Sequence, residues 1–123
     1  MSSILLIEDD SNFRVMLCIA LRQMGHEVVE ASEGEHGVGL FETGRFDLVI
    51  TDLIMPGQEG IETITKLIKK HPTARIIAMS GGGRTSPESY LKMAKRLGAK
   101  EILAKPFSMD ELGCAVERVL SVG

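Results

Sequence analysis

Cysteine is scarce in this chain. Cys18 and Cys114 are the only two in 123 residues, too few for a disulfide framework, and no cysteine-histidine spacing suggests zinc. Both fall in segments that read as helices near their apolar stripes, where a buried or half-buried thiol is the ordinary case. A cationic excess is missing too. A net charge of −3 and a pI near 5.6 leave no overall basic field to attract nucleic acid or an anionic membrane surface, so direct DNA binding by this chain is not expected. Long apolar runs are absent: the opening run, Ile4 to Ile7, is far too short for a signal-peptide core or a membrane span. A cytoplasmic location is the resulting expectation. No repeat, low-complexity tract or linker breaks the sequence, and Gly81-Gly82-Gly83 is its one compositional anomaly.

What is present fits one globular domain over residues 1–123. Hydrophobic residues make up 44% and charged residues 25%, and a chain of this length buries about two-thirds of its unfolded surface. Short apolar runs alternate with helical patterns. Ile4 to Ile7, Glu27 to Ala31, Leu48 to Ile50, Ile76 to Met79 and Ile102 to Ala104 are five expected strands. The first helix is expected to bury Phe13, Met16, Leu17, Ala20, Leu21 and Met24, the spacing of one helix face. The second should begin at Ser32, with Glu35 three residues on, and end near Gly44. The third should run from about Gly60 to Lys70, before His71-Pro72. The fourth should start at Ser86-Pro87 and end before Gly98. Ser108 and Glu111 have capping-box spacing ahead of Leu112, Ala115, Val116, Val119 and Leu120, which places the fifth. Strict alternation predicts an α/β fold, a doubly wound parallel sheet with helices on both faces.

Polar residues follow the strands. Glu8-Asp9-Asp10 comes after the first, Asp52 after the third, Ser80 after the fourth and Lys105 after the fifth. In an open parallel sheet such residues converge on the carboxyl edge, where these folds bind ligands. A switch point beside the first strand would gather Glu8, Asp9 and Asp52, and three carboxylates in one cleft call for a hard divalent cation, magnesium above all. Lys105 can pair with whichever acid or phosphoryl oxygen the metal leaves uncovered, and the Ser80 hydroxyl can donate to a phosphoryl oxygen. Taken singly these residues have plainer uses: Asp10 or Ser11 would cap the first helix, and Asp52 would suit a turn before Pro56-Gly57.

The joint pattern resembles the receiver domain of bacterial two-component response regulators over essentially the whole chain. The resemblance rests on Ile7-Glu8-Asp9-Asp10, Asp52-Leu53-Ile54-Met55-Pro56-Gly57, Met79-Ser80-Gly81, Gly98-Ala99 and Lys105-Pro106-Phe107. It implies a flavodoxin-like five-stranded sheet of order 2-1-3-4-5 with five helices. It further implies Asp52 as phosphoacceptor and metal ligand, Asp9 as a direct ligand of Mg2+, Glu8 acting more distantly, and the Ile54 backbone carbonyl completing the metal site. Lys105 and Ser80 would assist, Ser80 and Gly81 would carry the switch, and Lys105-Pro106 is a candidate cis bond. The expected donor is a sensor histidine kinase or phosphotransfer protein, docked on exposed first-helix residues. The effect would pass to a downstream target or fused output domain, with homodimerisation through the fourth and fifth helices a plausible use of that face.

Two features depart from the family pattern. Ile102 stands where the switch aromatic is usual and has neither hydroxyl nor ring, and the segment after Ser80 is lengthened by Gly81 to Ser86, where Arg84 could reach a partner. Gly-Gly-Gly lacks the lysine-serine or lysine-threonine ending of a nucleotide P-loop. The chain reads as a switch that catalyses only its own phosphorylation and dephosphorylation. The competing readings are a phosphohydrolase working through an aspartyl phosphate and a non-phosphorylated structural module. Ile54 opposes the first, since such hydrolases place a second acid there. The joint set Glu8, Asp9, Asp52, Ser80 and Lys105 opposes the second, and want of a Ser/Thr-rich loop after the first strand opposes a flavin site.

Overall fold

A computed structural model describes residues 2–53, 59–81, 92–93 and 95–121. Ile54, Gly82, Gly83, Arg84 and the Ser86-Pro87 helix start lie outside them. Five strands, β1 (Ser3–Ile7), β2 (Glu27–Ala31), β3 (Leu48–Asp52), β4 (Ile76–Gly81) and β5 (Glu101–Lys105), form one parallel sheet of order β2-β1-β3-β4-β5. Three helices, α1 (Ser11–Gln23), α2 (Gly34–Thr43) and α3 (Glu59–Lys70), and a C-terminal helix (Met109–Ser121) flank it, and residues 92–93 and 95–97 are helical as well.

Alternation along the strands builds two cores. Ile4 and Leu6 of β1, with Leu48, Ile50, Ile77, Met79 and Leu103, pack against Leu17 and Leu21 of α1 and Leu112, Ala115 and Val116 of the C-terminal helix. Leu5 and Ile7, with Val49, Ile76 and Ala78, pack against Val38 of α2 and Ile64 and Leu67 of α3. Because both faces are covered, β1 and β3 read as continuous apolar runs rather than as alternating ones.

The helix ends follow the sequence in most places. Asp10 caps α1, its carboxylate accepting the Phe13 amide at 3.1 Å, and Gly25 takes φ 95° just past that helix, a conformation that favours glycine. The capping box closes as expected: Ser108 Oγ accepts the Glu111 amide at 3.0 Å, and Glu111 accepts the Ser108 amide at 3.1 Å.

Several expectations are corrected. α2 is capped at Glu33 without a side-chain bond, not at Ser32. Inside the helix, Gly37 lets α2 approach β1 closely, since a Cβ there would meet the Ile7 side chain. In α1, Met16 is 46% exposed while Cys18 is buried, because Met16 lies about 100° around the helix from Leu17, and Met24, just past the helix end, is 38% exposed. Cys114 is exposed on the C-terminal helix, whose Ala115 and Val116 face the core instead. Asp52, Ser80 and Lys105 do not follow their strands. Asp52 and Lys105 are the last residues of β3 and β5 and Ser80 is the last but one of β4, paired in register with Met79, Gly81 and Ala104 respectively, because a polar side chain does not stop a parallel ladder whose neighbours continue.

Candidate functional site

β1 sits between β2 and β3, so the connections leaving β1 and β3 depart in opposite directions and open a crevice at their carboxyl ends. Glu8, Asp9 and Asp52 stand on its rim. One carboxylate oxygen from each lies within 4.8 Å of the other two. Glu8 and Asp52 are buried and Asp9 is exposed, so the cluster opens to solvent on one side.

Lys105 reaches in from β5. Its ammonium donates to Asp52 Oδ2 at 2.8 Å and to Glu8 Oε1 at 3.1 Å. The other Glu8 oxygen, Oε2, accepts the Asp10 amide at 3.1 Å. The Glu8 main chain is held too: its amide donates to the Ala31 carbonyl at 3.0 Å, and its carbonyl accepts from Arg14 Nη1 at 2.8 Å. Arg14 in turn pairs with Glu30 of β2 at 3.3 Å. The acidic turn is therefore braced from β2, α1 and β5 at once.

Electrostatics follow from this crowding. Burial pushes the Glu8 carboxyl from 4.5 up to about 7, and the charge of Asp52 adds to it; the Asp10 amide and Lys105 pull the other way without prevailing. For Lys105, burial works against the ammonium, but the hydrogen bonds and charges of Asp52 and Glu8 outweigh it and raise the pKa. The lysine stays charged, and the site holds more negative charge than it can neutralise. Three carboxylate oxygens at this spacing suit a hard, oxygen-seeking divalent cation.

Ser80 is fully buried at the same edge, one residue beyond Met79, and its hydroxyl has no hydrogen-bond partner among the described residues. A buried hydroxyl without a partner is costly unless a ligand oxygen completes it. The Lys105-Pro106 bond is cis. Ile102 is half-buried against the core that contains Ile64, Leu67 and Ala78. Gly81 ends β4 opposite Lys105, and the carbonyl of Ile54 lies outside the described residues.

The chain matches the family model described as the response regulator receiver domain over residues 4–117. It belongs to that family. Among curated proteins it is 38% identical over 120 residues, 98% of this chain, to the DNA-binding transcriptional regulator NtrC of Azospirillum brasilense. It is 30% identical over 117 residues to sporulation initiation phosphotransferase F of Bacillus subtilis, covering 95% of this chain and 92% of that protein. The chain spans 24% of the NtrC relative and 56% of PdtaR of Mycobacterium tuberculosis. Among solved structures, the response regulator TrrA of Thermotoga maritima in complex with Mg2+-BeF superposes with a TM-score of 0.85 at 32% identity, covering 98% of this chain and all of that one. Receiver domains of two-component response regulators are phosphorylation-dependent signalling switches, and this chain is one of them. Among the described residues no helix is long and apolar enough to cross a membrane.

Three residues have roles at the site that escaped the sequence reading: Arg14, Phe13, read only as part of an apolar helix face, and Phe107, read only as the last letter of the Lys105-Pro106-Phe107 motif. Each lies within one helical turn or two residues of a motif residue, four past Asp10, three past Asp10 and two past Lys105. That proximity was the available signal.

Proposed function

We propose that residues 1–123 are one receiver domain in which Asp52 accepts a phosphoryl group from a phosphohistidine of a sensor kinase or phosphotransfer protein. The N–P bond breaks, an Asp52 O–P bond forms, and the released imidazole takes up a proton. The observation that carries this reading is the Asp52 carboxylate, held at 2.8 Å by the Lys105 ammonium beside two further carboxylates.

Each residue then has a task. Asp52, anchored on one oxygen by Lys105, presents its carboxylate at the crevice. Lys105 offsets charge on the phosphoryl oxygens, and Ser80 donates its hydroxyl to one of them. Asp9 and Asp52, with the Ile54 carbonyl and with Glu8 behind them, would hold Mg2+. An ion held by these residues would supply positive charge to offset that of the phosphoryl oxygens. Water attack at the acyl phosphate resets the switch, so the domain turns over only its own phosphate. Ile54, with no hydrogen-bonding side chain, gives no help in orienting that water. Ser80 and Gly81 pass the change outward, with Ile102 in place of an aromatic reader. The recipients are a target protein or a fused output domain, the fourth and fifth helices offer a face on which a homodimer could form, and the cytoplasm is the expected compartment.

Intact mass after incubation with acetyl phosphate and Mg2+ tests the reading. A gain of one phosphoryl group, lost in Asp52→Asn and in EDTA, is expected. Labelling that persists in Asp52→Asn would overturn it.

A further inference from the structure

Lys105 has a third neighbour that the proposed chemistry does not use. Its ammonium lies 4.3 Å from the centroid of the Phe13 ring, on the first turn of α1. The Phe13 ring is itself fixed by Phe107, two residues beyond the lysine, edge to face at 5.9 Å and 67°. Both rings are half-buried against the core beneath α1 and the C-terminal helix. The lysine is thus gripped from two sides: carboxylates on one, an aromatic face on the other.

We infer that Phe13 is a positioning residue, holding the Lys105 ammonium over the Asp52 carboxylate by a cation–π contact that Phe107 keeps in place. The inference rests on the reading of Asp52 and Lys105 given above. A lysine stem has four rotatable bonds, and a side chain 24% exposed has room to swing toward water. Glu8 and Asp52 attract it but do not fix its approach, because an ammonium is a point charge with rotatable donors. A ring face supplies the missing direction and excludes water from that side, where a cation gains most from aromatic contact. The arrangement also links α1 to the transfer site through one side chain: the helix that Asp10 caps beside the acidic turn carries the ring that orients the lysine from β5.

The test compares wild type with Phe13→Leu, which keeps an apolar side chain of similar volume, and Phe13→Tyr, which keeps the ring. Acetyl phosphate with Mg2+ serves as donor, and initial labelling rates are read by intact mass. Separately, in the unphosphorylated, metal-free protein, the Lys105 Hε resonances are assigned by NMR. A ring face at this distance shifts them upfield. Phe13→Leu should label roughly three- to tenfold more slowly and lose the upfield shift, while Phe13→Tyr should retain both. Equal rates in wild type and Phe13→Leu, or an unshifted Lys105 resonance in wild type, would overturn the inference. A folding defect would show as loss in Phe13→Leu of dispersed amide signals far from the site. Slow labelling with those signals lost, or slow labelling also in Phe13→Tyr, would mark the ring as packing only and equally overturn it. Failure of wild type itself to label at Asp52 would instead strike the reading beneath it, with the Lys105 shift still deciding the geometry.

Discussion

Replacing Glu8 by glutamine removes a carboxylate that the fold buries almost completely. In the metal-free protein its pKa stands at about 7 against an ordinary 4.5. Between those values the native state holds a proton that the unfolded chain has released, so stability falls as pH rises through that window, and above pH 7 the full cost is present. At about 1.4 kcal/mol per pH unit the full cost is about 3 kcal/mol; solvent screening from the open side of the cluster reduces it, leaving about 1–3 kcal/mol. Glutamine keeps an oxygen for the Asp10 amide, and Lys105 keeps Asp52. The stability of Glu8→Gln relative to wild type should therefore improve by about 1–3 kcal/mol between pH 4.5 and pH 8, a relative rise of roughly 3–12 °C in Tm. Urea and thermal unfolding by circular dichroism at pH 4.5, 6, 7 and 8, all in EDTA, read this directly. If the two proteins run parallel across that range, the buried carboxylate does not govern the pH dependence and the reasoning fails.

Mg2+ affinity should fall about tenfold per pH unit below pH 7 and level off above it, because Glu8 must lose its proton beside a bound cation; calorimetric titration from pH 5.5 to 8 checks this, and a flat profile contradicts it. Gly60→Ala should cost about 1–3 kcal/mol in urea unfolding and slow labelling as well, since a Cβ there would lie 2.5 Å from both the Leu53 Cα and the Leu53 carbonyl, backbone atoms next to Asp52. Arg14→Gln should lose about 1–2 kcal/mol, because it releases the Glu8 carbonyl and leaves Glu30 without its cation; unchanged stability would show that the acidic turn needs no brace from α1.

The sheet was legible because each strand is a short apolar run bounded by polar residues and because helix patterns lie between them. β2 matched at both ends, since His26 and Ser32 bracket Glu27–Ala31 with polar residues that the ladder does not use. β3, β4 and β5 ran longer than their apolar letters, because pairing depends on the backbone and carried Asp52, Ser80 and Lys105 into the sheet. Strand order could not come from periodicity, which is blind to which strand neighbours which; it came with the family resemblance. Met16 and Cys114 were misplaced for the same kind of reason: apolar spacing gives a helix face only to within about one residue's rotation. The acidic and basic members of the site were legible as strand-end letters. Phe13 was not, because on a helix an aromatic at apolar spacing reads as core, and only the fold reveals that its ring is turned toward a lysine 92 positions away.

How a switch can work with Ile102 in place of an aromatic follows from where Lys105 and Ser80 meet. Lys105 ends β5 in register with Gly81, and Ser80 precedes that glycine with its hydroxyl unpartnered among the described residues. On the proposed reading, a phosphoryl group on Asp52 would convert one of the lysine's two carboxylate partners into a mixed anhydride and set new anionic oxygens farther out, so the ammonium would divide its bonds differently between Glu8 and the phosphate. The same oxygens would give the Ser80 hydroxyl an acceptor. Both changes act on adjacent, paired strand ends, whereas Ile102 lies three residues back, packed on an apolar core that carries no charge to be rearranged. Amide shifts on phosphorylation should therefore be largest at residues 80–81 and 104–107 and small at 101–102. A map centred on Ile102, with the β4 and β5 ends quiet, would mean that the signal leaves the site by another route.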